Sequence, residues 1–537
     1  MLSKNFSAYL RFCTGIISFL LLACGSLKVN AQFVNVAGAV VGNGSYFTLG
    51  AAFTAINAGP QPGAVITISI VGNTVEGSSA VLNQSAAVWT SVTITPVGAR
   101  TIAGSVNGPL ISFNGADLVK IDGLNTGGNS LIINNQSTSA VASTIKFLQD
   151  AKNNQVVNCT ILGSSNGSSS SSEGATVLFS TSTIGTGNDF NLIATNEIGP
   201  SGANLPFQAI KSVGTAAREN SNNIINNNRI YDFFSAANLS NARGIMVGAN
   251  STGWLISSNR LYQTATRSAT TSGTNLFAFI DVQSGSSYTI NGNYLGFANS
   301  AGTGFTTING GGSNIAFMIQ ALVFNPTTNN TSSLVGNVIG GINQTSSRAT
   351  STSGENIFLG VHFSGGSTGT INFINNTIGS GTALNSIQIQ SNSLSGSSPK
   401  PVAGIYNRSA AELYITGNTI GGISLTFGGT AGQDVFQLNG ILNEGDGIFD
   451  VTNNTIGGSV ANSITSTHTG GNIVGINNTR AMVSVNIVSN VVRNLTHTGN
   501  NTGLNNAAAV IGIMEKVGGG NMPNTISDNQ IYNLNCT

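Results

Sequence analysis

The chain has 537 residues, of which 7 % are charged and 40 % hydrophobic, with a formal net charge of +1. That hydrophobic content excludes a disordered polar chain, and the absence of Lys/Arg runs argues against nucleic acid or an anionic membrane as partner. Gly contributes 69 residues, and Asn, Ser and Thr dominate the polar set.

The N-terminus has the pattern of a secretory signal. Lys4 and Arg11 flank a short apolar stretch, Ile16 to Ala23, that is too brief to span a bilayer. Val29-Asn30-Ala31 offers small residues for cleavage, so the mature chain is expected to start at Gln32, dividing the sequence into a signal at 1–31, an N-terminal segment at 32–61 and repeats at 62–537. The competing reading is an acylated Cys24 after Leu21-Leu22-Ala23, where Leu22 is bulky for such a site. Cys13 and Cys24 leave with the signal. Cys159 and Cys536 remain, too few for a disulfide framework.

Thr48 is a natural cap for a short helix whose Leu49, Ala52, Phe53 and Ile56 fall on one face, ended by Gly59-Pro60. Strands are predicted at Val65–Ser69, Ser91–Thr95, Leu110–Phe113, Leu118–Ile121 and Leu131–Ile133.

From there one phrase recurs: apolar, any, apolar, two small polar residues, Asn, any, Ile. Its marker residues are Asn196, Asn228, Asn259, Asn293, Asn337, Asn376, Asn418, Asn454, Asn490 and Asn529, with Cys159 in the same slot of an earlier copy. Spacing varies between 31 residues (Asn228 to Asn259) and 44 (Asn293 to Asn337), and the variable part is Ser/Thr/Gly-rich, as loops on one side of a stack are. A second phrase built on Gly-Ile precedes the first in each unit, as at Gly244-Ile245, Gly404-Ile405, Gly440-Ile441, Gly475-Ile476 and Gly512-Ile513, with variants at Phe279-Ile280, Met318-Ile319 and Gly360-Val361. Each unit therefore holds about three short strands with period-two alternation. Stacked in register, such units form an all-β parallel β-helix solenoid, with Ile, Leu and Val inside. Asn suits the corners, because it tolerates left-handed backbone and its amides can stack from coil to coil. A β-propeller is the alternative, but it needs four antiparallel strands per unit.

The run Phe113-Asn114-Gly115-Ala116-Asp117-Leu118-Val119-Lys120-Ile121-Asp122-Gly123-Leu124, with the helix and the Asn-x-Ile coils, resembles the right-handed parallel β-helix, pectin-lyase-like superfamily. Within it the chain is similar to large exported repeat proteins of Gram-negative bacteria that carry a C-terminal sorting domain. The resemblance implies a right-handed winding, a capping helix and a place in secretion or on the outer cell surface. It also implies that the sequence, ending at Cys536-Thr537 without a sorting domain, is a piece of a longer protein.

The resemblance implies that hydrolases of this shape use clustered carboxylates on neighbouring strands, and lyases Ca²⁺-binding acids with an Arg or Lys base. Here the acids are scattered, so no catalytic residue, metal ligand or cofactor is assigned. Asp117, Lys120 and Asp122 read as turn residues. If the Ile of each Gly-Ile phrase points inward, its successor points outward, which predicts an exposed stripe of Lys211, Met246, Asp281, Gln320, His362, Tyr406, Leu442, Asn477 and Met514. Lys211, Asp281, His362 and Tyr406 are its candidate binding residues, with extracellular glycans as partner class. Thr377, Thr419 and Thr455 form a short Thr ladder. Two functions fit: a non-catalytic surface or adhesive rod, and a polysaccharide lyase or glycoside hydrolase acting on the exposed strand face.

Overall fold

The computed structural model of the chain describes residues 32–537 apart from 85–87, 238–240, 271–274, 311–316, 326–329, 347–356, 366–367, 392–399, 428–435, 469–470, 481–483, 500–507 and 516–523. The leader at 1–31, Cys24 included, lies outside the described residues.

One coil shows how the repeat phrases fold. The Gly-Ile phrase is the strand Lys400–Asn407, the apolar-x-apolar phrase is Glu412–Thr416, and Asn-x-Ile gives Thr419–Gly421. None of these pairs with its sequence neighbour. Each pairs in parallel with the equivalent strand one coil on: Ile405 with Ile441, Ile415 with Val451, Ile420 with Ile456. Repetition builds three faces. Among the described residues the first sheet has 16 strands and carries the strands before the marker Asn, the third has 13 and carries the Gly-Ile strands, and the second carries the strands after the Asn. Parallel pairing between consecutive coils excludes the propeller. The chain is a parallel β-helix.

Period-two alternation does the sorting. In Glu412–Thr416, Leu413 and Ile415 are buried while Glu412, Tyr414 and Thr416 are half-exposed. Like residues stack on like along the axis, so the interior is a continuous column of Ile, Val, Leu and Phe, and each such side chain contributes about 1.5–3 kcal/mol by burial. Aromatic rings also follow one another inside: Phe113, Phe147, Phe179 and Trp254 have centroids 5.3, 4.7 and 4.9 Å apart, tilted, stacked and edge-on in turn.

The recurrent Gly of the second phrase is a packing requirement between faces. A Cβ on Gly404 would lie 2.7 Å from Ile420 Cγ2 and 2.8 Å from the Gly440 carbonyl oxygen; one on Gly440 would lie 2.5 Å from the Gly475 carbonyl and 2.6 Å from Ile456 Cγ2. The Gly-Ile and Asn-x-Ile phrases are thus two sides of one contact.

Two features differ from expectation. From Arg267–Ser268 onward a fourth short strand appears in the coils, as at Thr306–Asn309, Ile342–Ser346, Ile387–Ser391 and Ile423–Phe427. It splits from the strand before it at a glycine such as Gly341 or Gly422, whose positive φ (56° and 61°) bends the chain. At the N-terminal end, Val34–Ala37 pairs antiparallel with both Gly44–Tyr46 and Val65–Ile70.

The helix α1 (Leu49–Ile56) buries Leu49, Ala52, Phe53 and Ile56. Thr48 Oγ1 accepts the Ala51 N–H at 3.1 Å, and the Glu76 carboxylate accepts the N–H groups of Leu49 and Gly50 at 2.9 and 3.0 Å, satisfying donors that a helix N-terminus leaves open. Asn57 ties the helix end to the strand Ala80–Asn83. Among the described residues no helix is long and apolar enough to cross a membrane.

Candidate functional site

The marker asparagines form one hydrogen-bonded column. Nδ2 of Asn196 donates to Oδ1 of Asn228, and the same bond links Asn228 to Asn259, Asn293, Asn337, Asn376, Asn418, Asn454, Asn490 and Asn529 in turn, at 2.9–3.1 Å. Each Oδ1 also accepts the backbone N–H of the preceding Asn, and each Nδ2 spends its other proton on a strand carbonyl, as Asn228 does on Ile193 at 2.8 Å. The column is buried except at Asn529, which is half-buried. Cys159 heads it: its N–H donates to Asn196 Oδ1 at 2.9 Å, and burial pushes its thiol up to about 12, leaving it an inert thiol at neutral pH. The left-handed corner residue is the one before each marker: Asn158, Thr195, Asn227, Ser258, Asn375, Asn453 and Ser489 all have φ between 53° and 58°. Marker Asn residues serve the bonding, and their predecessors make the turn.

The third sheet does align the predicted row, with one change and a different exposure. Lys211, Met246, Asp281, Val323, His362, Tyr406, Leu442, Asn477 and Met514 are in register. Val323 replaces Gln320, which pairs instead with Leu359. The row is not an exposed stripe. Lys211, Asp281, Tyr406 and Asn477 are buried, Lys211 under a loop and Asp281 and Asn477 against side chains of neighbouring strands. Lys211 Nζ donates to the carbonyls of Ser168 and Glu173 at 2.8 and 3.3 Å, under a loop that the Lys146–Glu173 ion pair (2.7 Å) fastens down. Burial lowers the Lys211 pKa to about 8. Asp281 accepts from Arg243 Nε at 2.6 Å and Gln283 Nε2 at 2.9 Å. His362 and Tyr406 are brought together: their rings stack with centroids 5.2 Å apart, and Tyr406 Oη donates to Glu444 Oε2 at 2.5 Å. Burial, then the Arg408 charge, lowers the His362 pKa to about 4. Asp122 accepts from Leu124 N–H and Asn158 Nδ2 and pairs with Lys120 at 2.8 Å, closing the turn at left-handed Leu124. Asp117 accepts the Lys152 N–H at 2.7 Å. Thr377, Thr419 and Thr455 stack in register on the second sheet.

An open groove of about 400 Å³ lies elsewhere, along the edge between first and second sheets. Asn125, Asn158, Thr195, Glu197, Asn227, Arg229, Arg260 and Ser300 contribute to its lining. Two rows run along it. Corner residues Asn158, Thr195 and Asn227 turn polar side chains outward, with Thr195 Oγ1 donating to Asn158 Oδ1 at 2.6 Å. Beside them Glu197, Arg229, Arg260 and Tyr294 stand one per coil in register. Arg229 Nη1 reaches Glu197 Oε1 at 2.8 Å, while the Arg260 guanidinium lies 3.5 Å above the centre of the Tyr294 ring. The signal for this site is in the sequence: the residue after each marker Asn reads Glu, Arg, Arg, Tyr in four successive copies and is uncharged in the later ones. Among the described residues no group of three or more His, Cys, Asp or Glu is placed to hold a metal ion.

No protein-family model matches the chain, and no curated protein matches it in sequence. Among solved structures it is similar to an alginate lyase from Paenibacillus sp. str. FPU-7, at 15 % identity and TM-score 0.36, covering 61 % of this chain and 93 % of that one. It is also similar to the Streptococcus pneumoniae surface protein and adhesin PfbA, at 15 % identity and TM-score 0.36 over 80 % of this chain and 97 % of that one. The Dettilon tailspike protein matches at 16 % identity and TM-score 0.31 over 79 % of this chain and 62 % of that one. Likeness at this level carries no argument about activity, and the fold rests on the register of the sheets.

Proposed function

We propose that this protein is an exported rod of a Gram-negative bacterium, secreted or held on the outer surface, that binds glycans without turning them over. Residues 1–31 are its signal, 32–61 a segment whose helix α1 caps the apolar end of the stack, and 62–537 the right-handed coils. The observation that carries the reading is the commitment of the ionisable groups on the third sheet. Lys211 and Asp281 are buried against internal partners, whereas the polar groove beside the Asn column is open. In the groove Glu197 is held in an ion pair with Arg229, and the rest of the lining is amides, hydroxyls and the Arg260 guanidinium, a set that suits recognition rather than turnover.

The His362–Tyr406–Glu444 contact favours a second reading, a polysaccharide lyase or glycoside hydrolase working on the third sheet. His362 and Glu444 are half-buried, so part of that cluster is open to the surface. A glycan array run on the mature chain, beside an assay for new reducing ends and unsaturated products, separates the two. Binding without product supports the rod, and product formation supports the enzyme. Mature protein beginning at Met1 would remove the export half of the proposal.

A further inference from the structure

We infer that the groove beside the Asn column is a binding site for a linear glycan carrying acidic groups, with Arg260 as the anion anchor. The inference rests on the glycan-binding reading and narrows it to a face and a ligand chemistry. Three observations lead to it.

The first is charge. Glu197, Arg229 and Arg260 occupy the same register position on three consecutive coils, about 4.8 Å apart by strand spacing. Arg229 is matched by Glu197. Among the described residues no carboxylate pairs with Arg260, so the groove carries one guanidinium in excess. The second is geometry. Stacking on Tyr294 covers one face of the Arg260 guanidinium and holds it flat, which leaves its N–H edge for a planar, two-oxygen acceptor. The loop that carries Ser300 walls this end and is itself tightly bonded, with Asn299 Nδ2 donating to Thr303 Oγ1 at 2.8 Å and Asn299 Oδ1 accepting the Ala301 N–H at 2.9 Å. The third is the remaining lining. Asn125, Asn158, Thr195, Asn227 and Ser300 supply amides and hydroxyls, the donors and acceptors that sugar hydroxyls need. The Tyr294 ring is already occupied by Arg260, so the site is built for polar contacts and an anion rather than for stacking a neutral sugar. From the Asn158 coil to the Arg260 coil the groove runs three strand spacings, about 14 Å, the length of a short oligosaccharide.

A carboxylate and a sulfate are the two sources of that anion. The test titrates the mature chain by calorimetry with three oligosaccharides of equal length: one carrying uronic-acid carboxylates, one sulfated, one neutral. We expect the neutral one to bind at least tenfold more weakly than the tighter acidic one, which names the acidic group. Arg260→Gln should weaken that ligand about ten- to a hundredfold, the size of a lost charge-assisted hydrogen bond. Glu197→Gln should strengthen it, because it removes a competing carboxylate and frees Arg229. The melt of Glu197→Gln should match the parent, since that side chain is exposed, and Arg260→Gln should stay folded with a melt lowered only by the loss of its stacking on Tyr294. Affinity unchanged in Arg260→Gln, or equal binding of the neutral oligosaccharide, overturns the groove while leaving glycan binding by another face intact. Failure of all three oligosaccharides and of a broad glycan array overturns both.

Discussion

Asn376 and Asn418 stand one coil apart in register, and Oδ1 of Asn418 accepts both the backbone N–H of Asn376 at 2.7 Å and its Nδ2 at 3.0 Å. Nδ2 of Asn418 in turn donates to the Phe373 carbonyl and to Asn454 Oδ1, each at 2.9 Å. One buried amide therefore satisfies groups on two neighbouring coils. Asn418→Leu would leave those groups without partners at roughly 1–3 kcal/mol each before relaxation, so a loss of about 3–5 kcal/mol is expected despite the added apolar surface. Asn418→Asp should be no better, because a carboxylate cannot donate to Phe373 or Asn454. Asn529→Leu, at a half-buried position, should cost less, about 1 kcal/mol. Thermal melts of the three variants check the order.

Gly440 tests the contact between the two repeat phrases. Its φ is ordinary, so strain is not the issue; the space is. Gly440→Ala places a methyl against the Gly475 carbonyl and Ile456 Cγ2, and overpacking of this kind costs about 1–3 kcal/mol. Ile456→Ala removes the Cγ2 that this methyl meets, so the double variant should lose less than the sum of the two single losses, and a double-mutant cycle measures the coupling.

Lys211 should make stability rise with pH. Its folded pKa is near 8 against an ordinary 10.5, so the unfolded chain binds the proton more tightly between those values. Stability is therefore complete above about 10.5, falls as pH drops to about 8 and is flat below. The size follows from the shift, on the order of 3 kcal/mol for a fully buried ammonium. Lys211→Met removes this limb, and the difference between parent and variant melts across that window isolates it from the tyrosines that titrate nearby.

His362 works at the acid end. With a folded pKa of about 4 against 6.5, it is neutral in the native rod at neutral pH. Its contribution is complete above 6.5, is lost as pH falls towards 4 and is constant below that. His362→Phe keeps a ring on Tyr406 and removes the titration, so its melts should be flatter than the parent's between pH 6.5 and 4. NMR titration of the His362 ring checks the midpoint directly.

The coil itself was legible because both phrases carry geometry. Period-two alternation names the strands, and the repeated Asn names the corner. The division of labour at the corner was less legible. Asn158, Thr195, Asn227 and Ser258 share a left-handed φ without sharing a residue type, so the position matters more than its side chain. The fourth strand was missed because Ile423–Phe427 follows Thr419–Gly421 with one glycine between, which reads as a single run. Burial of Lys211 and Asp281 was not legible at all. Alternation says which way a side chain leaves its strand, but a loop such as the one carrying Ser168 and Glu173, more than thirty residues upstream of Lys211, decides whether water reaches it. Arg229 and Arg260 lay within reach, in the slot after each marker Asn, once that slot is read down the axis.

Recognition without turnover can be measured in one sample. The mature chain is incubated with a soluble acidic polysaccharide, and bound polymer is measured alongside new reducing ends and unsaturated product. Retention that falls in Arg260→Gln, with no product at any time, is expected. Product that accumulates in the parent and disappears in His362→Ala or Tyr406→Phe would contradict it and place chemistry on the third sheet.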